Sequence, residues 1–75
     1  MNLETLLRTI DPFEQIIVVE GKLAFVDRHI YQGLNTHFYE HCSLHNLKGM
    51  RKRNVIKIEA GVNLIYIFIE KEKAQ

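Results

Sequence analysis

The sequence predicts an α+β domain: a short N-terminal helix, a short helix in the middle segment, and a four-stranded antiparallel sheet made from two hairpins. Three observations carry this. Leu3, Leu6, Leu7 and Ile10 recur at helical spacing. Ile16 to Val19 is a run of four β-branched residues, and Leu64 to Ile69 is apolar on both faces of an extended chain. At 75 residues the chain is expected to form one domain, residues 1–75, near the size where one core is marginal without a partner subunit.

Asn2 is placed to cap the first helix, and Glu4 suits the positive end of its dipole. Pro12 restricts Asp11 and has no amide proton, so the helix is expected to stop near Ile10. Gln15 to Glu20 then reads as a strand buried on both sides, and Gly21 turns the chain. Lys22 to Asp27, directly after that turn, is expected to be the second strand of the first hairpin.

Residues 28–47 follow neither helical nor strand periodicity cleanly. One reading is a helix within Thr36 to Leu47, capped by Asn35 or Thr36 and ended by Gly49. The other is a strand through Phe38 to Cys42, followed by a single turn capped by Ser43. Asn54 to Glu59 alternates as a half-exposed strand does, and Ala60 to Asn63 supplies a loop. In the last strand Leu64, Tyr66 and Phe68 share one face and Ile65, Ile67 and Ile69 the other. The doubly apolar strands are therefore expected inside the sheet and the alternating ones at its edges. One helix covers one face. The other face is left to the middle segment, to curvature into a barrel, or to another molecule, and a homodimer is one such solution. The charged tail Glu70 to Gln75 is expected to fray.

Apolar residues make up 47% of the chain and charged residues 25%, which is a globular rather than a disordered composition. No apolar run approaches the roughly 20 residues that cross a bilayer, so no membrane association is expected. Met-Asn-Leu-Glu-Thr has no secretory pattern, and Cys42 is the only cysteine. A cytoplasmic location is the expectation.

His37, His41 and His45 stand at i, i+4 and i+8, and two of them could share a metal on a helix. His37 and His45 would lie about 12 Å apart along the axis at roughly 1.5 Å per residue, so one ion would need His29, Glu40 or Cys42 as well. A solvated helix face is the simpler account. On a strand, the histidine stripe would not exist. Cys42 reads more simply as a small buried residue than as a nucleophile, which needs a base, an orienting group and an oxyanion pocket. Carboxylates and glycines are scattered without a catalytic or phosphate-binding spacing. No cofactor is implied, and an enzyme is not expected.

The strongest charge feature is Lys48-Gly-Met-Arg51-Lys52-Arg53 with Lys57: five basic groups and no acidic one. It suits phosphates of a nucleic acid or an acidic protein surface, with Tyr31 and Tyr39 as stacking surfaces. Against this stands the plainer account of a solvated loop and a cationic strand edge that discourages aggregation. The whole chain carries only +1, unlike strongly basic nucleic-acid-binding domains.

A leucine helix, Asp11-Pro12, an Ile/Val strand ending at Glu20-Gly21, a middle segment, Arg53 to Ile58 and an Ile-rich closing strand follow in order. This order resembles small α+β proteins encoded in phages and prophages of Gram-positive bacteria. None of the matching residues is a ligand-binding signature, so no site carries over. The resemblance implies a compact accessory protein acting on a host or viral macromolecule, including inhibitors of host defence. Simple imitation of DNA is disfavoured because the chain is not acidic. The leading expectation is thus a non-enzymatic protein-binding module using Lys48, Arg51, Lys52, Arg53, Lys57, Tyr31 and Tyr39. A nucleic-acid-binding regulator and a His-rich metal-binding protein are the alternatives.

Overall fold

The computed structural model describes residues 1–45 and 47–71. Most of the charged tail therefore lies outside the described residues, as does the Lys48 side chain. The chain forms helix α1 (Leu3–Leu7), strands β1 (Gln15–Glu20) and β2 (Arg28–Leu34), and a 3-10 turn (Asn35–His37) that leads into α2 (Phe38–Leu44). A second 3-10 turn (Lys48–Lys52) precedes β3 (Val55–Gly61) and β4 (Leu64–Ile69). No helix among the described residues is long and apolar enough to cross a membrane.

The sheet has the order β2-β1-β4-β3. The two doubly apolar strands occupy its centre, as their composition requires. They run parallel, with Ile16 opposite Ile65 and Val18 opposite Ile67, and this corrects the expectation of a purely antiparallel sheet. The outer pairs β1/β2 and β3/β4 are antiparallel. After β2 the chain crosses one face of the sheet through α2 and the second 3-10 turn before laying down β3 on the far edge.

That face holds the larger core. Leu3, Leu6 and Leu7 of α1, Phe38 and Cys42 of α2, and Met50 pack on Ile16, Val18, Ile67 and Ile69. Asn2 caps α1 as expected, its side-chain oxygen accepting from the Thr5 amide at 2.8 Å. The helix is shorter than its apolar stripe, because Ile10 sits in the turns before Pro12 and packs on the core from there. Asn35 is the buried polar residue that closes this end. Its amide group donates to Leu7 O at 2.9 Å and Ile10 O at 3.0 Å, which satisfies carbonyls that the helix end leaves open.

One expectation fails locally. Lys22 to Asp27 is a loop, and the second strand begins at Arg28. The reason is a bulge: Val18 faces Tyr31 and Val19 faces His29, so Ile30 is an extra residue. Ile30 and Tyr31 both enter the core, which breaks the alternation that marks a strand in sequence. The middle segment does contain a helix. Phe38 and Cys42 form its buried stripe, with the Tyr31 ring edge-on to Phe38 at 5.2 Å between centroids.

Candidate functional site

The second face of the sheet is covered differently. Ile17, Val19 and Phe68 are buried there, with Leu64 and Tyr66 half-buried, and among the described residues the apolar loop residue packed on them is Ala24. The loop is nonetheless firmly built. Gly21 adopts φ 132°, a conformation suited to glycine, and its amide donates to Ile69 O at 2.9 Å. The Asp27 carboxylate folds back and accepts from the Lys22 and Leu23 amides, both at 2.8 Å, while its other oxygen meets Lys71 Nζ at 3.1 Å. The Asp27 amide in turn donates to Leu23 O at 2.8 Å, and His29 Nε2 bonds Ala24 O. The backbone bond to Leu23, reinforced by Lys71, holds the Asp27 carboxyl below its usual range.

This scaffold carries apolar side chains outward. Leu23 is 58% exposed, Val26 78% and Phe25 96%. Beside them opens a cavity of about 600 Å³, lined by Gly21, Leu23 and Ile56 with Asp27, Glu70 and Lys71 at its polar edge. A loop tip with adjacent exposed apolar residues beside a partly apolar cleft is the kind of patch that marks an interaction surface.

The basic segment is dispersed rather than gathered. Arg51 lies over the Tyr39 ring, 5.0 Å from its centroid, with its Nε buried and without a hydrogen-bond partner among the described residues. Arg53 is drawn into an ion pair with half-buried Glu20, which spends its charge internally. Lys57 pairs with Glu59 at 3.0 Å and covers the Phe68 ring on the opposite face. Lys52 is exposed. Tyr31 is removed from any surface role: it is 7% exposed, and its hydroxyl donates to Leu34 O. Burial pushes its phenol up. Tyr39 is half-buried beneath Arg51.

The histidines lie on and beside a helix but do not converge. His41 bonds Ile30 O through Nε2 at 3.1 Å and lies beside the His45 ring, tilted by 37° at 4.5 Å between centroids, while His37 is exposed. Among the described residues no group of three His, Cys, Asp or Glu is arranged to hold a metal. Cys42 is buried in the core, and burial pushes its thiol up, opposed by the Arg51 charge.

Sequence reasoning missed Leu23, Phe25 and Val26 as a surface, because apolar residues after a glycine turn read as a returning strand. The signal that could have separated loop from strand is the spacing of Gly21 and Asp27, which lets a carboxylate reach back to the amides after the glycine. No known protein family, curated protein or solved structure matches the chain.

Proposed function

We propose that the chain is a non-enzymatic module that binds another protein through the tip of the loop between β1 and β2. The single observation that supports this most is Phe25, 96% exposed at the end of a loop whose conformation is held by a set of backbone and side-chain hydrogen bonds and an ion pair. Such a side chain costs nothing to order on binding beyond its own rotamers, and a large aromatic is the usual anchor of a protein interface. Its neighbours Leu23 and Val26 extend the anchor, and the cleft beside it offers a place for a partner's apolar side chain. The resemblance to phage-encoded accessory proteins makes a host or viral protein in the cytoplasm the natural partner class.

The basic segment is secondary in this reading. Arg53 and Lys57 already have acidic partners, and Arg51 lies over Tyr39 of α2 while Lys57 lies over Phe68 on the other face of the sheet, which disfavours a continuous track for a phosphate backbone. Lys52, Arg51 and Tyr39 serve at most as a rim.

The test is a photo-crosslinking amino acid at position 25, compared with one at exposed position 13, in cells of the native host. The expected result is one protein captured from position 25 only, and lost when Leu23 and Val26 are changed to Ser. Capture equal from both positions, or capture that persists after Leu23→Ser/Val26→Ser, sinks the proposal.

A further inference from the structure

A second surface, independent of the loop tip, lies along the outer edge of β3. Among the described strands this one neighbours β4 at the end of the sheet, and Ile56 to Ala60 are all exposed, with Ile56 at 38% and Ile58 at 50%. Its first residues are guarded. Asn2 bridges Asn54, and the Val55 amide donates to Met1 O at 2.9 Å, so the N-terminal segment occupies the edge up to Val55. Beyond that point nothing among the described residues pairs with it.

The hairpin geometry fixes which groups face outward. Gly61 and Leu64 close the two-residue turn Val62-Asn63, in which Asn63 takes φ 59°. A closing pair of that kind is hydrogen-bonded across the ladder, and bonded and non-bonded pairs then alternate. Glu59 therefore bonds Tyr66 across the sheet, whereas Ile58 and Ala60, opposite Ile67 and Ile65, turn their amides and carbonyls away from β4. An open edge of this type is a template for another strand unless its side chains forbid it.

Here the side chains select their partner. Lys57 and Glu59 sit on one face of β3, opposite Phe68 and Tyr66, and Ile58 sits on the other, opposite Ile67. An antiparallel copy related by a two-fold axis at Ile58 places Lys57 against the second copy's Glu59, and Glu59 against its Lys57. Ile58 meets Ile58 on the opposite face, and the two Ile58 backbones exchange both hydrogen bonds. The charged pairs then fall at the non-bonded positions, where facing side chains come closest. Centring the axis on Lys57 or Glu59 instead sets like charges against each other. We infer that β3 is a self-complementary edge through which two copies of this chain join their sheets, antiparallel and in register at Ile58.

The bulge at Ile56 and the guard at Val55 keep the added ladder short. The contact is therefore smaller than the ~1,600 Å² of a standard interface and gives a reversible, concentration-dependent dimer that weakens with salt. Sedimentation equilibrium over a wide concentration range tests it, with circular dichroism confirming that each variant is folded. Wild type is expected to move from monomer to dimer. Lys57→Glu and Glu59→Lys, alone, each create two like-charge pairs and are expected to raise the dissociation constant about tenfold or more. The double variant Lys57→Glu/Glu59→Lys restores opposite charges in both pairs and is expected to dimerise like wild type. A strictly monomeric wild type overturns the inference. So does a dimer indifferent to the single changes, or a folded double variant that remains as weak as its parents.

Discussion

The two faces of the sheet are buried to similar depth at their centres but by different means. On one, Ile16, Val18, Ile67 and Ile69 lie beneath α1, α2 and Met50, so apolar side chains from distant parts of the chain interlock. On the other, Ile17, Val19 and Phe68 lie beneath one loop that contributes Ala24 and sends its larger apolar residues outward. The first face is held by packing and the second by polar anchoring of a loop. On the function proposed above, stability and binding are separated onto opposite sides of one sheet.

The largest effects should come from the helix-covered face. Phe38 is completely buried at the junction of α2 and β2, and Phe38→Ala is expected to cost about 3–5 kcal/mol. A domain of this length has roughly 4–11 kcal/mol in all, at ~0.05–0.15 kcal/mol per residue, so thermal denaturation should show a variant near collapse. Gly21→Ala tests the loop-covered face. A Cβ there would stand 2.3 Å from Asp27 Oδ2, on a backbone at φ 132° that side chains rarely adopt. The expected loss is about 1–3 kcal/mol, and unlike Phe38→Ala it should come with faster hydrogen exchange confined to the loop. Equal, global loosening in both variants would erase the distinction between the faces.

How much of this difference was legible beforehand varies by element. The two central strands were, because only an interior strand tolerates four β-branched residues in a row or an apolar residue at every position. Their parallel pairing also had a signal, since strands buried on both faces are what parallel neighbours look like, but the hairpin rule outweighed it. Arg28–Leu34 was hidden by its bulge, which sets Ile30 and Tyr31 on the same side. Tyr31 was misjudged as exposed for the same reason. The apolar residues of the loop were hidden because hydrophobicity does not distinguish a side chain turned inward from one held outward. That choice depends on Gly21 and on where the Asp27 carboxylate lands, which is tertiary information. The basic run was legible as a run. Its dispersal was not, because Glu20 lies 33 residues from Arg53 and claims it only after folding, whereas the Lys57–Glu59 pair is a local contact between alternate residues of β3.

A smaller effect follows from Asp27. Its carboxyl is held below the usual range in the folded protein, first by the Leu23 amide and then by Lys71. A depressed folded-state pKa means that the stabilisation is complete above the unfolded-state value and is lost as pH falls through the folded-state value. The loop-covered face should therefore open in acid before the helix-covered face does. In an NMR titration the amide resonances of Lys22 and Leu23 should move together, with one acidic midpoint, and Asp27→Asn should abolish that transition. Core amides of β1 moving with the same midpoint would show the loop and the helices to be one cooperative unit.

The smallest expected effect on stability is the one that bears most on the proposed function. Phe25 projects from the loop and covers nothing, so Phe25→Ser should leave the denaturation midpoint unchanged to within about 0.5 kcal/mol. A core phenylalanine of the same size is worth several kcal/mol, so the contrast with Phe38→Ala is wide enough to read without ambiguity. Should Phe25→Ser destabilise the protein substantially, the ring must pack on its own chain in solution, and the loop tip would be part of the core. With stability unchanged and the protein captured at position 25 lost, the same side chain is idle in the folded monomer and decisive in the complex. That pairing of results is what separates an interface anchor from a misplaced core residue.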